Sequence, residues 1–271
     1  MGFLVLCGCA LGVILFIRRC ALHGLDGMLF SRVGMWILIW SFACARASHV
    51  FLYRWEAYRD QPLDMFKIWE RGFSSYGGFF GAAIVAIYYA LQHWINFWPL
   101  ADAGIYAFMC GWTIGRTGCF LVHDHPGRIS NFVLATEMRL QAIGDSHPVI
   151  HARHDLGLYD GLLSLAISLF FLWGDRKTRF ACFYFCWGVI IYSVPRFFLD
   201  FLRATDLSWS DSRYAGLTPA QYGSVPLLGI GVCSLSVCMK NDCPWSWISG
   251  LWWWACAVFS CFVDQYQNEK Q

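Results

Sequence analysis

The chain is poor in charged residues and carries almost no net charge. Only 14% of its 271 residues are charged and 58% are hydrophobic, with 15 tryptophans and 23 phenylalanines. An average soluble domain has about 25% charged residues, so this composition excludes an ordinary soluble domain. The formal net charge of +2 gives no sign of the basic surface that nucleic-acid binding requires, and we expect no nucleic-acid partner.

The sequence also lacks a regular cysteine pattern, internal repeats and low-complexity linkers. Its thirteen cysteines are scattered, mostly in apolar runs, and no two of them are separated by two residues. Cysteines in such runs behave as small hydrophobic side chains, so we predict no disulfide framework. Because no linker is evident, we predict one membrane domain at residues 1–240, followed at 241–271 by an extra apolar helix and a polar C-terminal tail.

Long apolar runs recur along the chain, and about 20 apolar residues are enough to cross a bilayer as a helix. We therefore predict an all-α polytopic membrane helix bundle with seven core transmembrane helices, a possible eighth and a polar extracytoplasmic cap. The seven runs are residues 1–17, 33–52, 76–97, 103–121, 158–173, 180–202 and 218–237. The possible eighth is 244–263, and the cap is 127–156. The first run is short, and we expect it to be clipped at its start.

Two basic loops predict the orientation of the bundle. Arg18 and Arg19 follow the first run, and the basic residues of 175–179 follow the fifth. Loops rich in lysine and arginine stay on the cytoplasmic side of the membrane. The N-terminus, and the polar segment that follows the fourth run, are therefore predicted to lie outside the cytoplasm.

The densest polar cluster is the central stretch, residues 115–128, at the end of the fourth run. It contains Arg116, and an arginine at membrane depth costs about 2.5–3.5 kcal/mol on insertion scales, so such a residue usually faces a cavity, a partner or a substrate. Glycines and one proline surround the cluster and predict a helix that breaks there. We interpret this stretch as an active site at the membrane face; the alternative is a re-entrant loop with a snorkelling arginine.

The sixth run ends in a second charged cluster, formed by Arg196, Asp200 and Arg203. Spacings of four and three residues place these side chains on one face of a helix, and Pro195 loosens the helix at that point. One interpretation is a structural ion pair with Arg203 snorkelling at the helix end. The other is a substrate anion bound by two arginines, one of them oriented by Asp200. Together with Arg116, these arginines could hold the phosphate of a lipid headgroup.

Four residues of the central stretch have side chains that can bind metals: Cys119, His123, Asp124 and His125. His123 and His125 are two residues apart, which suits a strand or a loop and not one helix face, and no second ligand pair at zinc-like spacing follows. We therefore expect no metal and no cofactor. The polar segment has further histidines that we expect to be solvated, although one could act as a general base. These are His147, His151 and His154.

Five segments resemble, in the same order, the motifs of the prolipoprotein diacylglyceryl transferase family. Residues 76–78, Tyr-Gly-Gly, correspond to the family's His-Gly-Gly motif, which begins a helix. Residues 115–120, Gly-Arg-Thr-Gly-Cys-Phe, with Asp124 and Gly127, stand for a Gly-Arg-x-Gly-Asn-Phe signature with a downstream Glu and Gly. Residues 153–160, Arg-His-Asp-Leu-Gly-Leu-Tyr-Asp, stand for Arg-His-Pro-Ser-Gln-Leu-Tyr-Glu.

The last two segments extend the resemblance to about residues 3–238. Arg196, Asp200 and Arg203 stand for an Arg-x-x-x-Glu-x-x-Arg helix, and residues 217–221, Leu-Thr-Pro-Ala-Gln, for a Leu-Thr/Ser-x-x-Gln helix start. The resemblance implies a seven-span enzyme that moves a diacylglyceryl group from phosphatidylglycerol to the lipobox cysteine thiol of a secreted lipoprotein precursor. The implied partners are phosphatidylglycerol, the prolipoprotein signal peptide with its lipobox, and membrane lipids. The implied location is the bacterial cytoplasmic (inner) membrane, with the site on the extracytoplasmic side.

The clusters and the resemblance together indicate the site residues. The expected catalytic residues are Tyr76, Arg116, His123, Asp124 and Arg196. The expected substrate-binding residues are Gly77, Gly78, Cys119, Gly127, His154, Tyr159, Asp160, Asp200 and Arg203.

The chain departs from the family pattern at residues that bear on catalysis. The family's histidine is Tyr76 here, its asparagine is Cys119, and its glutamates in the signature and the sixth helix are aspartates. A family segment before the first helix, which holds a functional tyrosine, is missing, and the run after residue 240 is extra. Because a tyrosine, with a pKa of about 10, is a poor base at neutral pH, we predict that His123 or His125 replaces the lost histidine. The other candidate bases are Asp124 and His154.

Two other functions compete with the transferase. A non-catalytic paralogue that binds phospholipid or a lipoprotein signal peptide is favoured by the loss of the family's histidine and asparagine. It is disfavoured by the three retained arginines, Arg116, Arg196 and Arg203. A transporter or channel is the weakest alternative, because the sequence has no inverted repeat.

Overall fold

The structure is a computed structural model that describes most of the chain. It describes residues 2–239 except 23, 25, 26, 54, 68–71, 208, 209 and 212. The possible eighth span at 244–263 and the predicted C-terminal unit at 241–271 lie outside the described residues.

Within the described residues, helices make up nearly all of the fold. The α-helices are α1 (Gly2–Leu22), α2 (Gly27–Ser48), α3 (Trp55–Asp60), α4 (Ser75–Gln92), α5 (Phe97–Val122), α6 (Leu156–Gly174), α7 (Phe183–Leu199) and α8 (Pro219–Met239). Short π- and 3₁₀-helical turns flank some of them, at His49–Tyr53, Pro62–Phe66 and Asp200–Leu202.

Six of the described helices are long and apolar enough to cross a membrane, as expected of a polytopic bundle. They are α1, α5, α6 and α8, with the stretches Leu29–Phe51 around α2 and Phe183–Leu202 around α7. They coincide with six of the seven predicted core spans. The remaining prediction, residues 76–97, falls on α4, which has 18 residues and ends at Gln92. The chain turns there because Trp94 adopts a positive φ of 52°.

The prediction of an all-α fold is incomplete, because the polar segment between α5 and α6 forms an antiparallel sheet. Its strands are β1 (Pro126–Ile129), β2 (Thr136–Leu140) and β3 (Val149–Asp155), in the order β1-β3-β2. Gly144, with a φ of 97°, supplies the backbone conformation needed in the turn before β3. In β3, Arg153 and Asp155 are buried two residues apart, because alternate side chains of a strand share one face.

Local caps explain why several helices start where they do. The Asn96 side chain accepts a hydrogen bond from Trp98 N at the start of α5. Before α8, Thr218 and Gln221 form a reciprocal capping box, in which Gln221 N donates to Thr218 Oγ1 and Thr218 N donates to Gln221 Oε1. Such caps satisfy backbone N–H groups that have no partner within the helix.

Glycines allow the helices to pack closely. A Cβ atom on Gly8 of α1 would lie 2.4 Å from the Gly111 carbonyl oxygen of α5, and one on Gly81 of α4 would lie 2.4 Å from the Trp40 carbonyl oxygen of α2. Neither position leaves room for a side chain. Small residues at such crossings let helix backbones approach each other, as is common in membrane bundles.

Candidate active site

Five helix ends meet at one end of the bundle, next to the sheet, and we call this region the head. The contacts that join them are α5 to α6 through Phe120 and Gly157, α4 to α8 through Tyr76 and Ser224, and α7 to α8 through Asp200 and Thr218. The C-terminal ends of α5 and α7 thus converge with the N-terminal ends of α4, α6 and α8. Nearly all predicted site residues lie on these ends or in the sheet beside them.

The close crossing of α5 and α6 creates the first ion pair of the head. A Cβ atom on Gly157 would lie 3.0 Å from Phe120 N, and one on Gly161 would lie 3.5 Å from Arg116 Cβ. At this separation Arg116 Nε lies 2.6 Å from Asp160 Oδ2, and both side chains are only 4% exposed. Gly157 therefore lets α5 and α6 cross closely enough for a buried arginine and a buried aspartate to meet, while Gly161 lies at an ordinary contact distance from Arg116.

The Arg116–Asp160 pair is close, but its hydrogen bonding is incomplete. The Nε–Oδ2 contact is not aligned as a hydrogen bond, and neither oxygen of Asp160 accepts one within the described residues. The guanidinium lies over the Trp112 ring, 4.4 Å from its centroid. Burying charges is costly unless their hydrogen bonds are satisfied, so this pair has unused capacity to bind a further polar group.

The second ion pair of the head lies at the end of α7. Arg196 Nη1 is 2.5 Å from Asp200 Oδ1, and Arg203 Nε is 3.4 Å from the same oxygen. The Thr218 hydroxyl donates a short hydrogen bond to Asp200 Oδ2, and Arg203 Nη1 also lies 2.7 Å from Asp211 Oδ2. Asp200 is fully buried and Arg196 is 8% exposed. Asp200 therefore contacts two arginines at once, whereas the spacing predicts that it orients one of them.

Two tyrosines lie between the ion pairs. The Tyr76 hydroxyl is hydrogen-bonded to Ser224 Oγ at 2.7 Å, within electrostatic reach of Arg196 and Asp160. Tyr192 is 3% exposed and interacts electrostatically with both arginines of the two pairs. Tyr192 is absent from the sequence-based site, although it precedes Arg196 by four residues and so lies on the same helix face.

Gly77 and Gly78, two predicted substrate-binding residues, face another helix. A Cβ atom on Gly77 would lie 2.4 Å from Ser48 Oγ, and one on Gly78 would lie 3.7 Å from the Ser41 carbonyl oxygen. Gly77 therefore leaves no room for a side chain where α4 packs on α2, whereas Gly78 lies at an ordinary contact distance from α2.

His123 forms a pair with an aspartate that the sequence does not single out. His123 adopts a left-handed conformation at the end of α5, with φ 48° and ψ 42°. Its Nδ1 lies 2.6 Å from Asp155 Oδ2. Asp155 is fully buried, and its other oxygen accepts hydrogen bonds from Gly157 N and Leu158 N at the start of α6. The carboxylate is thereby fixed, and it holds the imidazole in one orientation.

Cys119, Asp124 and His125 form a separate cluster on the other side of the turn. One ligand-type atom from each lies within 4.8 Å of the others. His125 Nδ1 is 3.0 Å from Asp124 Oδ1, and Cys119 Sγ is 3.9 Å from Arg116 Nη1. Three of the four residues of the central stretch that could bind a metal thus come together, without His123.

The remaining predicted residues connect the sheet to the bundle. A Cβ atom on Gly127 would lie 2.7 Å from both His154 Cβ and the Leu202 carbonyl oxygen, so Gly127 is needed for close backbone packing. His154 Nδ1 is hydrogen-bonded to the Tyr159 hydroxyl at 2.7 Å, and burial lowers the pKa of His154. Tyr159 also lines an apolar groove of about 490 Å³ between α6 and α7.

A salt bridge between the sheet and the loop after α7 is a further feature that the sequence reading missed. Arg153 is 1% exposed and holds Asp206 through two contacts of 2.5 and 3.0 Å. Arg153 Nη1 also donates to the Gly127 carbonyl oxygen. The Arg153 guanidinium lowers the pKa of the Asp206 carboxyl. Paired arginine–carboxylate contacts of this kind fix geometry as well as charge.

Comparison with known proteins identifies the family of the chain. The family model for prolipoprotein diacylglyceryl transferase matches residues 1–237. The chain belongs to the prolipoprotein diacylglyceryl transferase family. Residues 76–78 and 115–127, which carry part of the resemblance, lie in the head. The described residues, 2–239 with the gaps given above, contain nearly all of the residues that the family model matches.

Curated relatives named phosphatidylglycerol–prolipoprotein diacylglyceryl transferase match over most of this chain. One from Bacillus velezensis is 28% identical over 208 residues, covering 76% of each chain. One from Geobacillus kaustophilus is 28% identical over 234 residues, covering 85% of this chain and 84% of the relative. One from Bacillus cytotoxicus is 28% identical over 243 residues, covering 89% and 87%. The family resemblance drawn from the motifs is thereby confirmed.

Proposed function

We propose that this chain transfers a diacylglyceryl group from phosphatidylglycerol to the thiol of the lipobox cysteine in a lipoprotein precursor. One observation carries this proposal: two buried arginine–aspartate pairs, Arg116–Asp160 and Arg196–Asp200, converge at the head of a chain from this transferase family. Arginines suit phosphate because their planar guanidinium groups match its oxygens in charge and geometry. Phosphatidylglycerol carries one such phosphate at the membrane surface.

The reaction replaces a carbon–oxygen bond by a carbon–sulfur bond. The lipobox thiol loses its proton, since the thiolate is the nucleophile, and its sulfur attacks the glyceryl carbon that carries the phosphate ester. The ester C–O bond breaks, glycerol phosphate leaves with the electron pair, and a thioether forms. Arg116 and Arg196 stabilise the charge that develops on the leaving phosphate, because positioned donors in a buried site act most strongly where charge builds up.

We infer that His123 is the general base. Its imidazole is oriented by the fully buried Asp155, and its side chain is 36% exposed, so a substrate thiol can approach it. An imidazole accepts protons readily near neutral pH. The other candidates are less suitable: the Tyr76 hydroxyl is bonded to Ser224, and the His125 side chain is less exposed than that of His123, at 28%. This choice between the two predicted histidines rests on the Asp155 contact.

The head is proposed to lie on the extracytoplasmic side of a bacterial inner membrane. Arg19, in the last turn of α1, forms an ion pair of 2.5 Å with Asp175, which begins the basic loop after α6. The basic ends of α1 and α6 therefore meet on the side opposite the head, and basic segments that flank membrane spans stay in the cytoplasm. We further propose that α4 also crosses the membrane, which completes the seven core spans. Residues 1–240 then form one membrane domain, and the sheet is its polar cap.

Complementation tests the proposed function. The chain is expressed in bacteria depleted of their own transferase, and a model prolipoprotein is examined by mass spectrometry. We expect diacylglyceryl-modified precursor with the wild-type chain and none with Arg116→Ala or Arg196→Ala, each verified to be in the membrane. An unmodified precursor in cells that contain the inserted wild-type chain would contradict transfer. Retained binding of phosphatidylglycerol or signal peptide would then support the non-catalytic paralogue, in which Tyr76 and Cys119 replace functional residues.

A further inference from the structure

We propose that Cys119, Asp124 and His125 form a binding site for a divalent transition-metal ion of the zinc type. The cluster offers one sulfur, one carboxylate oxygen and one imidazole nitrogen within 4.8 Å of one another. Thiolate, imidazole and carboxylate are the protein ligands that Zn²⁺ takes. Cys119 is 8% exposed, so the site lies at the edge of the buried head and not on an open surface.

The end of α5 brings the three residues together. Helix α5 ends at Val122, and the left-handed His123 reverses the chain, with His123 N donating to the Phe120 carbonyl oxygen at 3.1 Å. Asp124 and His125 then turn back towards Cys119, which lies in the last turn of the helix. The spacing of these residues argues against a metal site only if they lie on one continuous helix or strand. They do not, because the helix ends and the chain turns at His123.

The distances suit a chelated ion. Asp124 Oδ1 and His125 Nδ1 are 3.0 Å apart, and His125 Nδ1 is buried without an aligned hydrogen bond. Tetrahedral zinc with bonds of about 2.0–2.3 Å holds its ligand atoms roughly 3.3–3.6 Å apart. Shifts on the order of 1 Å from separations of up to 4.8 Å would bring the three atoms to these distances.

The local charges also balance. A Cys119 thiolate and the Asp124 carboxylate supply two negative charges against the two positive charges of the ion. Arg116 lies 3.9 Å from Cys119 Sγ and opposes a cation, but its own charge is compensated by Asp160 at 2.6 Å. Three protein ligands with an open fourth position are typical of catalytic and not of structural zinc sites. The open position would accept an anionic oxygen or sulfur ligand near Arg116.

Cobalt binding tests this site independently of transferase activity. The purified full-length chain in detergent is stripped with a chelator and titrated with Co²⁺, which gives a near-ultraviolet charge-transfer band when a thiolate binds it, and Zn²⁺ is then used to displace the cobalt. We expect one thiolate-bound Co²⁺ per chain. The band should disappear in Cys119→Ser, and Zn²⁺ affinity should fall at least about 10-fold in Asp124→Asn and His125→Gln, because even indirect changes around a metal cost that much.

Matched controls separate this site from the other thiols. Cys110→Ser changes a half-buried thiol on the same helix, and Cys182→Ser changes a buried thiol that lies 3.1 Å from Cys186 Sγ. Both variants should keep the band. A wild-type chain without the band, or a band that survives Cys119→Ser and is lost in Cys182→Ser, would overturn the proposal. Asp124→Asn and His125→Gln keep the test valid if Cys119→Ser does not fold.

Discussion

The two ends of the bundle use the same residue types in different ways. At the end opposite the head, Asp175 accepts from Arg19 and the Tyr184 hydroxyl on one oxygen and from the Tyr106 hydroxyl on the other. The Arg19 guanidinium also lies over both rings, at 3.6 Å from the Tyr106 centroid and 4.5 Å from that of Tyr184. Both oxygens of Asp175 therefore accept hydrogen bonds, and the cluster holds helix ends together.

The head contains buried polar groups whose hydrogen bonding is incomplete. Asp160 accepts no aligned hydrogen bond within the described residues, although it lies 2.6 Å from Arg116. Arg196 lies close enough to Tyr192 and Asp160 to interact with both electrostatically. Two buried arginines close to each other are stabilised when an anion joins them. The contrast indicates that the Arg116–Asp160 pair, whose hydrogen bonding is incomplete, can bind a further polar group, whereas the Arg19–Asp175 pair is a structural contact.

Removing either head arginine should produce the largest effect. We expect Arg116→Ala and Arg196→Ala each to lower the rate of transfer about 10²–10³-fold, the usual loss for one electrostatic donor in a buried site. Arg116→Lys should recover part of the rate, since it restores the charge and not the planar fork. The measurement is the rate of diacylglyceryl transfer to a lipobox peptide by purified chain. A rate within about 3-fold of wild type in Arg116→Ala would contradict the assignment of a binding role to the head arginines.

Changing the histidine–aspartate pair should have a smaller effect. We expect His123→Gln to lower transfer about 10²-fold, the lower end of the range for a general base, because water can reach the exposed position. Asp155→Asn should cause a lesser loss, since asparagine still caps α6 but no longer stabilises the imidazolium. The rates are measured as for the arginine variants, with His147→Gln as the control in the sheet region. Unchanged transfer in His123→Gln would assign the base to another residue.

The opposite end should respond in stability and not in rate. Arg19→Ala removes a contact with a partly exposed aspartate and two cation–π contacts, and we expect a loss of about 1–2 kcal/mol of unfolding free energy. Transfer per folded molecule should change less than about 3-fold. Thermal unfolding in detergent and the transfer rate are measured on the same preparation. A large loss of rate without a loss of stability would contradict the assignment of a structural role.

The smallest expected effect concerns the contact between the sheet and the loop after α7. Because Arg153 lowers the pKa of Asp206 in the folded chain, this contact stabilises the fold above the unfolded pKa of about 3.9. That contribution is lost as the pH falls through the lower folded value. The protection of residues 203–207 against hydrogen exchange, corrected for the intrinsic pH dependence of exchange, should therefore fall below about pH 4. Asp206→Asn should exchange faster at neutral pH and lose this extra acid response; an unchanged acid response would contradict the sign.

Hydropathy predicts the helices well, because a membrane span is a local property of about 20 residues. Local spacing also predicts the Arg196–Asp200 contact, since residues four apart on a helix are neighbours. Spacing does not predict the partner of Arg116, because Asp160 comes from another helix and their contact depends on the close crossing at Gly157. Spacing likewise does not predict the contact between His123 and Asp155, because the turn at the end of α5 brings these two residues together.

The sheet was missed for a different reason. Its strands are short, and β1 and β2 have four and five residues, too few to show a clear alternation of apolar and polar side chains. Arg153 and Asp155 are buried in β3, against the usual pattern for charged residues. Their partners, Asp206 and His123, come from distant segments. The sequence therefore predicts that this segment is polar, but it does not predict that the segment folds into a sheet.

Reconstitution with the purified full-length chain is the most direct measurement. The chain, in detergent with phosphatidylglycerol labelled in its diacylglyceryl part, is incubated with a synthetic lipobox peptide, and the products are followed by mass spectrometry. We predict a labelled thioether on the peptide cysteine and an equal amount of released glycerol phosphate, with both products lost in the Arg116→Ala, Arg196→Ala double variant. A folded wild-type chain that binds phosphatidylglycerol and peptide but forms neither product would contradict the proposed transfer.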